Sequence, residues 1–131
     1  MCAFVKFSKV GKVYHSGDIN VTALKDVSFE ISKGEICVIV GQSGAGKTTL
    51  IRLICGLQEP TSGDFTLYGI RNDSKDIIKS RRRMGAVVET PSIYMDMTAE
   101  ENLKQQYLIL GLPSYEGIPE LLKLVGLENT R

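Results

Sequence analysis

The stretch Gly41-Gln42-Ser43-Gly44-Ala45-Gly46-Lys47-Thr48 carries the spacing Gly-x-x-x-x-Gly-Lys-[Ser/Thr], the pattern of a phosphate-binding loop. The spacing has a mechanical reason. Glycines at 41, 44 and 46 admit backbone conformations that side chains forbid, so consecutive N–H groups from about Gly44 to Thr49 can converge as an anion nest. A nucleotide's β-phosphate fits such a nest. Lys47 then reaches the β- and γ-phosphates as a point charge, and the Thr48 hydroxyl is placed to coordinate Mg²⁺. The helix that follows adds the positive end of its dipole, and Thr49 adds a contact near the α-phosphate. The candidate nucleotide-binding set is therefore Gly41, Gln42, Ser43, Gly44, Ala45, Gly46, Lys47, Thr48 and Thr49, with Lys47 also the candidate catalytic cation and Thr48 a candidate metal ligand.

The flanks suit a strand–loop–helix unit. Ile36-Cys37-Val38-Ile39-Val40 reads as a buried strand, and Lys47 to Leu57 places apolar residues at 50, 51, 53, 54 and 57, a helical face closed by Gly56. Upstream, Ala3 to Tyr14 reads as a strand that ends near Gly11 or continues through a bend to Tyr14, His15 to Thr22 as a polar loop, and Ala23 to Ile31 as a strand with one wet face, followed by a turn at Lys33-Gly34. Downstream, Glu59 to Gly63 breaks the chain and Asp64 to Tyr68 alternates as a strand ending at Gly69. Ser74 to Arg83 reads as a short polar helical stretch, its Arg81-Arg82-Arg83 cluster a solvated helix end complementing the dipole. Met84 to Glu89 reads as a short apolar strand. Thr98 and Glu101 form a capping-box pattern that opens a helix running to Gly111, and a last helix spans about Tyr115 to Leu124.

Composition narrows the function classes. The chain has 131 residues, one domain's worth of length, with sixteen basic against fifteen acidic residues. That balance gives no net field to favour nucleic acid or an anionic membrane. Cys2, Cys37 and Cys55 are odd in number and widely spaced, which suggests small buried hydrophobes in a reducing compartment and neither a disulfide framework nor a zinc site. No apolar run is long enough to span a bilayer, and the N-terminus does not read as a signal peptide. The expectation is a cytoplasmic chain without direct membrane insertion, linked to a membrane only through a partner.

Forty residues of largely antiparallel-patterned sheet precede Gly41, an order unlike most phosphate-loop kinases and small GTPases. Ala23-Leu24-Lys25-Asp26-Val27-Ser28-Phe29, Gly34-Glu35, the loop, Gly56-Leu57-x-x-Pro60-x-x-Gly63 and Thr98-Ala99-x-x-Asn102-Leu103 together resemble the N-terminal part of an ABC-transporter ATP-binding subunit, over nearly the whole chain and in the family's order. The resemblance implies an α/β fold, a P-loop NTPase of the ABC ATPase type. In it, an antiparallel β portion (about 1–34) precedes part of the parallel-sheet P-loop core (about 35–90) and a helical segment (about 91–131). It implies ATP and Mg²⁺ as cofactors, a transmembrane permease and a second ATP-binding subunit as partners, with a homodimer in the full-length protein, and a place at the inner face of the cell membrane.

Two residues acquire roles from the resemblance. Tyr14 takes the position of the aromatic that stacks on adenine, the alternative being a strand-end tyrosine packed on the sheet. Glu89 falls where the family usually carries the glutamine of the Q-loop, which touches Mg²⁺ and the attacking water; it is thereby a candidate catalytic residue and metal ligand. A carboxylate there keeps a hard oxygen ligand but adds negative charge and loses the amide donors. Val88-Glu89-Thr90-Pro91-Ser92-Ile93-Tyr94 resembles the branch concerned with bacitracin and lantibiotic export or self-protection. The alternatives for Glu89 are a solvated strand end or a degenerate Walker B, the latter weakened by Gly85 and by the lack of a preceding Asp.

Nothing after Gly46 matches the Leu-Ser-Gly-Gly-Gln signature, a Walker B strand or the switch histidine; the single His is His15. The chain therefore reads as the N-terminal part of a longer subunit, one that binds nucleotide without the hydrolysis machinery. The leading function is the ATP-binding subunit of an exporter. Its alternatives are a soluble ABC-type ATPase without a transporter, and a phosphotransferase using the same loop.

Overall fold

Alternating apolar residues from Ala3 onward build the first of four antiparallel strands. The computed structural model describes residues 3–129 and divides into two compact units, Met1–Thr90 and Pro91–Arg131. In the first unit, β1 (Ala3–Ser16), β2 (Ile19–Ser32), β3 (Ser62–Leu67) and β4 (Ile70–Arg71) form one sheet in the order β2-β1-β3-β4. Phe7 is in register with Phe29 on one side and Phe65 on the other, and the three rings stack at centroid distances of 4.7 and 4.9 Å. Val5, Phe7 and Val10 of β1, Leu24 of β2 and Phe65 and Leu67 of β3 pack with Leu50 and Leu53 of α1 (Lys47–Cys55) and with Ile77 of α2 (Ile77–Arg81). This core holds α1, and with it the end of the phosphate-binding loop, against the sheet.

The expected loop at 15–22 is instead the tip of the β1–β2 hairpin, paired through His15↔Asn20 and Ser16↔Ile19. Gly17, at φ 57°, makes the turn tight enough for the ladder to continue to its end. Both faces of this ribbon are exposed, so its residues carry no apolar alternation to betray a strand.

The C-terminal end of α1 corrects the reading of the arginine cluster. Gly56 closes the helix at φ 79°, and Arg81 donates from Nε to the Ile54 carbonyl at 3.1 Å and from Nη2 to the Leu53 carbonyl at 3.4 Å. A Cβ at position 56 would come within 2.5 Å of that guanidinium. Arg83 lies over the Tyr68 ring at 3.9 Å. Two of the three arginines thus have tertiary partners: Arg81 satisfies carbonyls that a helix end leaves open, and Arg83 meets an aromatic face. One residue away, the buried Ser80 hydroxyl donates to the Leu67 carbonyl at 3.0 Å, tying α2 to β3.

Two expected strands do not form. Ile36 to Val40 forms no regular element and pairs with no strand, with Ile36, Val38 and Val40 exposed at 93%, 77% and 84%. Met84 to Glu89 is likewise irregular. A strand needs a ladder partner for its N–H and C=O groups, and none of the four strands among the described residues lies beside either segment. Cys37, inside the first segment, is consequently exposed, while Cys55 is only partly buried; Cys2 lies outside the described residues.

The second unit contains α3 (Ala99–Leu110) and α4 (Ile118–Leu124). The capping box forms in full: the Glu101 amide donates to Thr98 Oγ1 at 3.2 Å, and the Thr98 amide donates to Glu101 Oε2 at 2.8 Å. Asn102 anchors the preceding loop, accepting from the Tyr94 amide at 2.7 Å and donating to the carbonyls of Tyr94, Met97 and Thr98. Ile118 and Leu122 are the buried residues of α4, and the rings of Tyr107 and Tyr115 meet at 6.1 Å. No helix among the described residues is long and apolar enough to cross a membrane.

Candidate nucleotide-binding site

The phosphate-binding loop is shaped by its glycines. Gly44 has φ 83° and Gly46 φ 95°, and Gly46 is the N-cap of α1 with no side-chain cap. A Cβ on Gly46 would lie 2.6 Å from the Ala23 carbonyl oxygen and 2.7 Å from Leu24 Cδ2. The loop is therefore seated directly on β2, at a distance only glycine permits. The Ala45 amide donates to the Gln42 carbonyl at 3.1 Å, and the first intrahelical bond runs from the Leu50 amide to the Gly46 carbonyl at 3.0 Å. Helix geometry leaves the N–H groups of residues 47–49 without intrahelical acceptors, and these are the donors an anion would take.

The Lys47 ammonium folds back over the loop, donating to the carbonyls of Gly41 and, at 2.7 Å, Gln42. Thr49 is buried, and its Oγ1 lies 3.3 Å from the Tyr14 hydroxyl, which also donates to Gln58 Oε1. The hydrogen bond with Thr49 pulls the Tyr14 phenol below its ordinary pKa; partial burial opposes this, and Gln58 and Arg52 reinforce it. Together these residues bound a cleft of about 350 Å³, lined by Tyr14, residues 21–23 of β2, Ser43, Gly44 and residues 46–49.

The structure thus brings Tyr14 to the loop across 33 residues of sequence that separate it from Lys47. It does not bring Glu89 to the cleft. Glu89 stands at φ 61° and its Oε1 accepts from Arg52 Nη2 at 2.8 Å, on the flank of α1. Gln58 and Arg52 went unrecognised in the sequence. Arg52 had a signal, since it follows Thr48 by four residues on one helix face; Gln58 had none.

The chemistry of the lining suits a polyphosphate with its cation. It offers glycines at positive φ, an uncapped helix N-terminus, an ammonium and hydroxyls, and no carboxylate lines the cleft. Comparison with known proteins agrees. A family model described as ABC transporter matches residues 24–131. The methionine import ATP-binding protein MetN of Geobacillus kaustophilus (strain HTA426) is 38% identical over 131 residues, 95% of this chain and 38% of that protein. The bacitracin transport ATP-binding protein BcrA of Bacillus licheniformis is 35% identical over 129 residues, 98% of this chain and 40% of that protein. The chain therefore spans about two-fifths of the length of these curated relatives. The ATP-binding cassette MJ0796, solved as a dimer in a post-hydrolysis state with ADP and Pi, superposes with a TM-score of 0.81 at 32% identity, covering 95% of this chain and 58% of the cassette. In sequence, in the order of its elements and in the sheet that seats its phosphate-binding loop, the chain belongs to the ABC transporter ATP-binding family.

Proposed function

We propose that this chain is the nucleotide-binding part of a subunit that couples ATP binding and hydrolysis to export by a separate transmembrane permease. The observation that carries the reading is the single cleft formed by Tyr14, β2 and the loop from Ser43 to Thr49. In that reading Tyr14 stacks on the base, the amides of residues 44–49 receive the phosphates, and the Lys47 ammonium leaves the Gly41 and Gln42 carbonyls for the β- and γ-phosphates. Thr48, and Glu89 once released from Arg52, would hold Mg²⁺, which supplies charge neutralisation on the phosphates when bound. The 131 residues contain no Walker B carboxylate, signature segment or switch histidine, so this chain alone binds nucleotide without turning it over. The division into a β portion (about 1–34), a P-loop core (35–90) and a helical segment (91–131) forms part of the same proposal. So do pairing with a second ATP-binding subunit as a homodimer and residence on the cytoplasmic face of the membrane.

Export is favoured by Glu89 within Val88 to Tyr94, together with the likeness to the bacitracin transport subunit. The likeness to methionine import subunits favours the second reading, import. Purification of the full-length subunit with its permease and reconstitution into vesicles decides between them. ATP-driven movement away from the ATP-binding face, lost in Lys47→Ala, is the expected result. Movement toward that face establishes import, and a subunit that never co-purifies with a membrane protein overturns both readings. In the full-length subunit Glu89→Gln is expected to retain nucleotide binding and measurable hydrolysis, because it restores the usual family residue. A loss of about 10²-fold or more would instead mark Glu89 as a general base.

A further inference from the structure

Tyr14 is held by a segment other than the phosphate-binding loop. Gly56 ends α1 at φ 79°, and the Leu57 amide donates to the Arg52 carbonyl at 2.9 Å, a glycine-closed helix end that turns the chain back. Residues 58–61 then bond repeatedly to the middle of β1. The Tyr14 hydroxyl donates to Gln58 Oε1, and Lys12 Nζ donates to the Glu59 carbonyl at 2.8 Å. The Val13 amide donates to Thr61 Oγ1 at 3.0 Å, and the Thr61 amide donates to the Gly11 carbonyl at 2.8 Å. Lys12 Nζ also stands over the Tyr14 ring, 5.5 Å from its centroid, so a planar ligand has the opposite face to stack on.

The protons on the hydroxyls can be counted. A phenol has one, and Tyr14 gives it to Gln58. Its oxygen is then left to accept at Thr49 Oγ1, 3.3 Å away, which makes the Thr49 hydroxyl the donor in that bond. The bond with Thr49 is also the largest cause of the lowered Tyr14 pKa, as a donor to the phenolic oxygen requires. Tyr14 and Gln58 are half-buried and Thr49 is buried, where water competes less for such bonds. We propose that Gln58 is a positioning residue of the nucleotide cleft: by accepting the Tyr14 proton it fixes the ring as the platform for a nucleotide's base and, through Thr49, ties that platform to the phosphate-binding loop. The proposal rests on the nucleotide reading of the cleft. A ring fixed in advance loses less freedom when the base arrives, which raises affinity for the base and leaves affinity for the phosphates as it was. Gln58 lies outside the residues that line the cleft and acts through Tyr14.

The test measures displacement of a fluorescent ADP analogue from the 131-residue chain by Mg-ADP and by magnesium pyrophosphate, which keeps the phosphates and lacks the base. Gln58→Leu, close in size but without an acceptor, is expected to weaken ADP binding about fivefold, the scale of one neutral hydrogen bond, with pyrophosphate binding unchanged. Gln58→Glu, which keeps an acceptor oxygen, should restore the wild-type ratio of the two affinities. Tyr14→Phe should show the same selective loss for ADP, and Gln58→Leu should add nothing in its background. Gln58→Met carries the same comparison if circular dichroism shows that Gln58→Leu does not fold. An unchanged ratio in Gln58→Leu, equal losses for both ligands, a Gln58→Glu chain that behaves as Gln58→Leu does, or losses that add in the double variant overturn the positioning role while leaving the cleft a nucleotide site. Absence of any ADP binding by the wild-type chain overturns the nucleotide reading and this role with it.

Discussion

Gly46→Ala tests whether the phosphate-binding loop is seated on β2 as described. Two separate costs arise. The residue holds φ 95°, outside the range an L side chain adopts comfortably, which costs about 1–2 kcal/mol. The new Cβ would also stand 2.6 Å from the Ala23 carbonyl oxygen and 2.7 Å from Leu24 Cδ2. Neither neighbour is a flexible tip: one is strand backbone, and Leu24 is 5% exposed within the core. Relief therefore requires the loop to lift from the strand, a further cost of about 1–3 kcal/mol on the scale of overpacked cores. The two together predict a loss of roughly 2–5 kcal/mol in urea unfolding, with a weakened nucleotide affinity because the amides of residues 44–49 shift as a group. Gly44→Ala provides the internal comparison. It shares the positive φ, 83°, but its Cβ meets nothing within 4 Å, so it should lose only the conformational part, about 1–2 kcal/mol. Equal losses for the two variants, or a Gly46→Ala protein as stable as wild type, would refute the seating of the loop on β2.

Three other outcomes follow from the same geometry. Tyr14→Ala should weaken nucleotide binding by about 1 kcal/mol for lost stacking, read by calorimetry; an unchanged affinity would leave Tyr14 as a hydrogen-bonding partner of Thr49 and Gln58 only. The Glu101 carboxylate lies below its ordinary pKa of 4.5, chiefly because it accepts from the Thr98 backbone amide. Its contribution to the start of α3 is therefore complete above that value and lost as pH falls through the depressed pKa. The Thr98 amide resonance should report this transition, and a midpoint at or above 4.5 would contradict the capping box. Finally, the exposed Ile36, Val38 and Val40 present unpaired backbone and apolar side chains together, so the 131-residue chain is expected to sediment as an oligomer. The double variant Val38→Lys, Val40→Lys should shift it toward monomer, and a wild-type chain that is already monomeric would contradict this.

Features whose chemistry is local were legible in the sequence. The octapeptide from Gly41 to Thr48 and the Thr98–Glu101 box are each complete within a few residues, and α1, α3 and the strands with one buried face follow from apolar periodicity. What escaped depended on contacts distant in sequence. Ile36 to Val40 has the composition of a buried strand, yet composition cannot supply a neighbouring ladder, and the segment stays exposed. The β1–β2 ribbon beyond Tyr14 shows the converse: strand without alternation, because both its faces are wet. Arg81 looked like a charged surface residue until the end of α1 was brought beside it, leaving carbonyls for it to satisfy. In the candidate site the loop could be read directly and Tyr14 only through a family resemblance. The Arg52–Glu89 pair joins residues 37 apart, a juxtaposition no local pattern encodes.

The claim that the Gly41–Thr48 loop binds nucleotide is tested most directly by calorimetric titration of Mg-ATP and Mg-ADP into the wild-type chain and Lys47→Ala. The Lys47 ammonium already spans the mouth of the loop, bonded to the carbonyls of Gly41 and Gln42, and on binding it exchanges these for charged phosphate oxygens. Removing it should weaken affinity by about 1.5–3 kcal/mol, the worth of a charge-assisted hydrogen bond, with the fold unchanged by circular dichroism. Equal affinities for the two proteins, or no binding by the wild type, would contradict the assignment of the loop.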